Sequence, residues 1–526
     1  MSDFNQALRT LSAPENRSLL TTIRRGLEKE SLRVNDDGQL AHTPHPSALG
    51  SALTHPRITT DYSEALLEMI TPPHTSVAEL LGTLDDVHRY IYRNLDGEML
   101  WVHSMPCAIP GGEEVPVADY GNSNIGLMKK VYRLGLGHRY GRVMQTIAGI
   151  HYNWSVPEEC LSLLQTASGN GMSFHDYKTQ RYFDLIRNFR RHTWLLLYLF
   201  GASPAVCRSF VGDQPHQLVP VGDDEYSLHS PYATSLRMGD LGYQSSAQES
   251  LHVCYNNLES YIDTLRDALT QPYQPYEAIG LKDPQGHYRQ LSTHLLQIEN
   301  EFYSTVRPKR TTRPGETPIR ALTERGVEYI EVRCIDLNPL TPVGIDAEQI
   351  HFLDVFLLHC LMAESPLTDG GEYRDILENQ KRVVYHGRDP ELRLRRNGGD
   401  STVAAWGADL FSAMAPVAQL LDDANGSDCH SAALASLEQR LYDPDLTPSA
   451  RILDAMKARG VSYFQLALDH ARTLQEHFIN GDQEPATDDY YRQLAQKSLD
   501  DQAAIETSDT LDFDTFLASY YSQYDS

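Results

Sequence analysis

The stretch "RRGLEKESLRV", Arg24 to Val34, sets Glu28 and Glu30 one residue apart in a run that otherwise reads as a buried strand. Residues i and i+2 of a strand project from one face about 6.6 Å apart, so the two carboxylates stand side by side. Ionised carboxylates so placed repel each other and lose hydration unless they open to water or share a cation. A solvent-facing strand edge would account for an isolated Glu-x-Glu, so the choice rests on whether the same geometry recurs.

It does recur. In "GVEYIEVRCIDLNP" (Gly326 to Pro339), Tyr329, Glu331 and Arg333 alternate on one face while Ile330, Val332 and Cys334 fill the other. In "IAGIHYNWS" (Ile147 to Ser155), Ile147, Gly149, His151 and Asn153 share a face. "TTDYSEALLEMITP" (Thr59 to Pro72) supplies Asp61, Glu64 and Glu68, spaced either as one helix face or as a loop followed by a short strand. A structural ion pair would explain Glu331 beside Arg333, and a hydrogen-bonded core residue would explain His151. Taken together, they offer several carboxylates and one imidazole on β-type segments, an oxygen-rich donor set suited to Mg²⁺ or Mn²⁺.

Such ions usually hold phosphates, yet the chain has no Walker A sequence and no GxGxxG, since "GLGHRYG" (Gly135 to Gly141) has the wrong spacing. The basic run "VRPKRTTRPGE" carries Arg307, Lys309, Arg310 and Arg313, candidates for phosphate or carboxylate contacts, with a solvated basic loop as the plainer account.

The 526 residues carry 71 acidic and 45 basic side chains, a formal charge of −26 that argues against nucleic acid or an anionic membrane as partner. The apolar run from Trp194 to Val206 is broken by Gly201 and Pro204 and reads as core. The start lacks the pattern of a secretory signal, so a soluble, cytoplasmic protein is expected. Seven scattered cysteines with no CxxC pair are expected as reduced thiols, with Cys107, Cys207 and Cys334 as inert packing residues. The mixed β and helical texture of residues 20–345 gives way to a mainly helical stretch, 346–526, expected to pack on it as one unit.

The ordered motifs "RRGLEKESLRV", "TTDYSEALLEMITP", "WVHSMPC", "YGNSN", "RYGRVMQTIAGIHYNWS", "PYATSLRMGDLGYQ", "QIENEFYSTVRPKR" and "GVEYIEVRCIDLNP" closely resemble the bacterial glutamate–cysteine ligases. The resemblance covers about Ile23 to Pro342 and, more loosely, the helical part. It implies an α+β fold of the glutamine-synthetase-like kind, in which a curved antiparallel sheet forms a funnel-shaped active site surrounded by helices. It implies ATP-dependent joining of the γ-carboxyl of L-glutamate to the amine of L-cysteine through a γ-glutamyl phosphate, with Mg²⁺, or Mn²⁺ in its place, glutathione as feedback inhibitor, and a monomer. By motif position, Glu28, His151 and Glu331 hold the metal on the β- and γ-phosphates. Glu30, Asp61 and Glu68 hold the metal nearer the glutamate, and Arg333 is the catalytic group that steadies the transferring phosphoryl. The substrate pocket is drawn from Tyr62, Tyr132, Leu136, Gln145, Ile147, Arg237, Tyr243 and Tyr303. A ligase of the same architecture with another amine, a two-metal hydrolase and a non-catalytic ion-binding protein are the alternatives.

Overall fold

The computed structural model describes residues 4–106, 109, 111–242, 248, 251–481 and 484–524. Its centre is an antiparallel sheet with the strand path β2-β3-β1-β5-β10-β9, from which β4 branches to pair with the far end of β1. These strands are β1 (Arg24–Asn35), β2 (Ile58–Thr60), β3 (Leu66–Ile70), β4 (Glu98–Leu100), β5 (Ile150–Ser155), β9 (Val306–Lys309) and β10 (Tyr329–Ile335). The α+β class with an antiparallel sheet is the one expected. A small sheet of β6 (Ala205–Cys207), β7 (Val219–Val221) and β8 (Asp224–His229) lies apart from it, as does the hairpin β11 (Arg393–Arg396) with β12 (Gly399–Thr402).

The ambiguity around Asp61 is settled by the chain path. β2 ends at Thr60, residues 61–65 turn, and Glu68 sits on β3. Asp61 closes that turn with its backbone N–H on the Leu66 carbonyl.

Helices cover the other face of the sheet. Phe174–Phe200, capped by the Ser173 side chain, contains the apolar run from Trp194 and buries it. No helix among the described residues is long and apolar enough to cross a membrane. Ala347–Met362 is buried along nearly its whole length, and each large apolar side chain so buried contributes about 1.5–3 kcal/mol. It also carries Asp354, whose carboxylate lies in the core. Arg25 of β1 donates to both its oxygens at 2.9 and 2.8 Å, and Tyr152 and Trp154 of β5 donate at 3.2 and 3.1 Å. Polar groups buried in this way must be fully partnered, so the helix and the two strands take one fixed relation. One main apolar cluster draws Leu27, Tyr152 and Ile330 from the sheet and Leu353, Met414 and Leu466 from the helical stretch.

The cysteines need a correction. Cys207, expected as a free packing residue, is disulfide-bonded, whereas Cys160, Cys254, Cys334, Cys360 and Cys429 are free. Spacing along a chain does not reveal which sulfurs meet in space. Cys107 lies outside the described residues.

Candidate active site

Strand register brings the acidic residues together. On β1, Glu28 is the direct partner of His151 on β5, and Glu30 is the direct partner of Glu68 on β3. On β10, Glu331 is opposite Asn153 of β5 and opposite Arg307 of β9. Direct antiparallel partners point to the same face, so four strands deliver one polar surface.

His151 sits in its middle. Its Nδ1 lies 3.3 Å from Glu28 Oε2 and 3.9 Å from Glu331 Oε1, and its Nε2 lies 3.8 Å from Glu30 Oε1. Two donor groups result, Glu28 with His151 and Glu331, and Glu30 with Glu68 and His151, the ligand atoms within each lying within 4.8 Å of one another. The first is the set expected from motif position. The second shares two members with the expected one. Asp61 adjoins it without entering it, being half-exposed and 3.9 Å from Arg133 of the helix Asn124–Tyr140.

The protonation pattern follows from the crowding. Burial pushes Glu68 well up, helped by the charges of Glu28, Asp61 and Glu30. Burial also raises Glu30, against the opposing pull of His151. Burial works against ionisation of Glu331 too, but Lys309, Arg333 and His151 overcome it and hold the carboxyl well below the usual range. For Glu28, burial works against ionisation, but the hydrogen bond from His151 together with the charges of His151 and Lys309 brings the carboxyl below its ordinary value. Two carboxylates about 5 Å apart repel by about 3 kcal/mol at an effective dielectric constant of about 20. An oxygen-rich cluster with one imidazole relieves that repulsion by taking a hard divalent cation, and its donor chemistry fits one.

Neighbouring groups fix the donors. Asn153 Nδ2 donates to Glu28 Oε1 at 2.8 Å, and the Gly149 N–H donates to Glu30 Oε2 at 2.7 Å. Asn153 alternates with His151 on β5, but an amide beside the cluster gives no charge signal in the sequence. Arg333 reaches Glu331 Oε2 at 3.1 Å and His151 Nδ1 at 3.4 Å. A one-residue bulge places it there: β10 advances from Val332 to Ile335 while its partners on β5 step only from Tyr152 to Ile150.

The basic run divides. Lys309 Nζ lies 3.4 Å from Glu331 Oε1. Arg307 is tied to the carbonyls of Asn300 and Phe302, Arg310 to the Arg325 carbonyl and Glu328, and Arg313 is exposed. Arg307, Lys309 and Tyr329 border a cavity of about 320 Å³ that continues to Tyr261 and Leu322.

Of the expected substrate pocket, Tyr303 and Gln145 meet through the tyrosine hydroxyl, 3.0 Å from Gln145 Nε2. Ile147 and the backbone of Arg237 leave no room for a Cβ at Gly242. Leu136 and Tyr62 lie in the apolar core, with burial pushing the Tyr62 hydroxyl up to about 12. Tyr132 is half-buried, and burial raises its hydroxyl well above the ordinary value, with the charge of Glu301 next in weight. Tyr243 lies outside the described residues.

A family model described as glutamate–cysteine ligase matches residues 8–383. The glutamate–cysteine ligase of Alcanivorax borkumensis is 49% identical over 525 residues, 99% of this chain and 100% of that protein. The glutamate–cysteine ligase of Pseudomonas paraeruginosa is 51% identical over 525 residues, 99% of this chain and 98% of that one. A crystal structure of glutamate–cysteine ligase from Francisella tularensis in complex with AMP superposes with a TM-score of 0.89 at 36% identity, covering 96% of this chain and 98% of that one.

Proposed function

The chain belongs to the glutamate–cysteine ligase family, and from that premise we propose that it joins the γ-carboxyl of L-glutamate to the amine of L-cysteine at the expense of ATP. The products are γ-glutamylcysteine, ADP and phosphate. The observation that carries this is the convergence of Glu28, Glu30, Glu68, His151 and Glu331 on one sheet face with Arg333 beside them.

A γ-carboxylate oxygen bonds to the terminal phosphorus of ATP while the bond to the ADP oxygen breaks. The cysteine amine, having lost a proton, then bonds to the acyl carbon as phosphate departs. Both reactants of the first step are anions. Glu28, His151 and Glu331 would hold one magnesium ion on the phosphates, and Glu30, Asp61 and Glu68 another nearer the glutamate. When bound, these ions neutralise converging charge and keep the groups in line. Arg333 adds a fixed cation with paired donors where charge gathers in the transition state. Asn153 and the Gly149 N–H keep Glu28 and Glu30 aimed. Lys309 and the adjoining cavity at Tyr329 suit the remainder of the nucleotide. Tyr303, Gln145 and Ile147 suit the amino-acid side, with Arg237 buried behind them.

We further place the enzyme in the cytoplasm as a monomer, with 20–345 and 346–526 as one structural unit, supported by the shared apolar cluster. Glutathione, whose γ-glutamyl group repeats the substrate, is expected to compete with glutamate. Protein mixed with ATP, magnesium, glutamate and cysteine should yield ADP and the dipeptide by mass spectrometry, with glutathione raising the apparent KM for glutamate. Dipeptides formed equally well from other amines would favour a ligase of different specificity, and ATP cleavage with no dipeptide would contradict the proposal.

A further inference from the structure

Behind the bulge that carries Arg333 lies a buried carboxylate with no part in the chemistry described so far. Asp336 has a fully buried side chain. Its Oδ2 accepts the Ala202 N–H at 2.8 Å and the Ser203 hydroxyl at 2.6 Å, and its Oδ1 accepts the Ser235 hydroxyl at 2.9 Å. Arg237 NH1 stands 3.7 Å from the same Oδ1. Both loops that flank it are thereby fastened to the end of β10, and one of them carries Arg237.

Arg237 is itself almost wholly buried and its other terminal nitrogen, NH2, donates to the Arg333 carbonyl at 2.9 Å. A bulge takes backbone groups out of the regular ladder, and a buried carbonyl there needs another partner. Arg237 supplies it. The guanidinium also packs against Gly149, where any Cβ would collide with it. Gly149 in turn gives its N–H to Glu30 Oε2 at 2.7 Å and takes the Glu30 N–H on its carbonyl at 3.0 Å. One guanidinium therefore touches the backbone behind Arg333 and the backbone that holds Glu30.

We propose that Asp336 is a positioning residue for the ligase reaction: it anchors the Arg237 guanidinium, which fixes the bulge that aims Arg333 and the Gly149 backbone that orients Glu30. This rests on the assignment of Arg333 and Glu30 to the reaction made above. A carboxylate is required at 336 because a neutral side chain would take away the negative charge that stands 3.7 Å from the buried guanidinium, which would then turn toward its other acceptors. Burial raises the Asp336 carboxyl while Arg237 opposes that rise, in keeping with a paired buried charge.

Asp336→Asn keeps the shape and tests the charge. Supporting partners of this kind typically cost about ten- to a hundredfold when altered. In Asp336→Asn we expect kcat to fall by about that factor and the KM for glutamate to rise, with the KM for ATP unchanged. Arg237→Lys alone should show the same split, and the double variant should lose no more than the worse single one, because both act through one contact. If Asp336→Asn does not fold, Ser235→Ala, which removes a hydrogen bond to the oxygen facing Arg237, should give a smaller loss of the same form. A variant with a lowered Tm but wild-type kcat and glutamate KM, or single losses that multiply in the double variant, would overturn the inference. A wild-type chain that forms no dipeptide would overturn the proposed activity and this inference with it, whereas an active wild type beside an unimpaired Asp336→Asn would overturn only the latter.

Discussion

His151 contacts carboxylates through both ring nitrogens, so a single imidazole separates the two donor groups and belongs to each. Arg333 extends the first group with a charge that burial and a carboxylate neighbour keep in place. Lysine at 333 would keep the charge and lose the two-pronged donor geometry. Arg333→Lys should therefore lower kcat by about a hundredfold, the scale of losing a fixed transition-state donor, with little change in nucleotide affinity. Steady-state kinetics with ATP and a nucleotide-binding titration check it, and equal losses in both would contradict the role. The carboxylates on β1 were legible because charge at alternate positions conflicts with an apolar strand. Glu68 was legible as a candidate but not its pairing with Glu30, since only the register between β1 and β3 makes them neighbours. Asp336 gave no warning at all, and Asn153 no more than its place on the His151 face, as their importance lies in what they touch.

At the scale of elements, the sheet holds its functional face by being anchored on the opposite one. Tyr152 and Trp154 alternate with His151 and Asn153 on β5, and both donate to Asp354 of the helix Ala347–Met362. Burial alone would raise Asp354, but Arg25 and the other donors bring it from 3.8 down to about 2. A carboxyl depressed on folding stabilises the fold fully above its unfolded value and loses that contribution as pH falls through its folded value. Here the window runs from 3.8 to about 2, and the contribution amounts to about 2 kcal/mol. Asp354→Asn should cost about 3–5 kcal/mol at neutral pH because it leaves Arg25 buried without its partner. Urea unfolding should show the gap between wild type and variant narrowing by about 2 kcal/mol as the solution is acidified across that window; a gap independent of pH would contradict the pairing. Strands and helices with strong periodicity were legible. The β11–β12 hairpin interrupts a stretch whose sequence reads as helical, although Asn397 and Gly398, both with positive φ, are the usual pair for such a turn. The bulge at Arg333 left no mark, because one extra residue does not disturb an alternating pattern enough to be seen.

For the whole molecule, a net charge of −26 faces two anionic substrates. Long-range attraction does not bring ATP or glutamate to this surface, so local cations must reverse the field. Arg333 and Lys309 do so on one side of the carboxylate face. The C-terminal segment closes the structure near the same edge, where Tyr524 donates to Glu299 at 2.7 Å and Glu299 borders the cavity beside Lys309. None of that closure was legible, because periodicity gives a helix its apolar face and not its partner. The central claim is that this face activates the γ-carboxyl of glutamate by phosphorylation before cysteine attacks. The direct measurement is to supply glutamate with heavy oxygen in its γ-carboxyl and follow the label during turnover with ATP and cysteine. One labelled oxygen should appear in each phosphate released alongside a dipeptide. Unlabelled phosphate accompanying dipeptide formation would contradict the account.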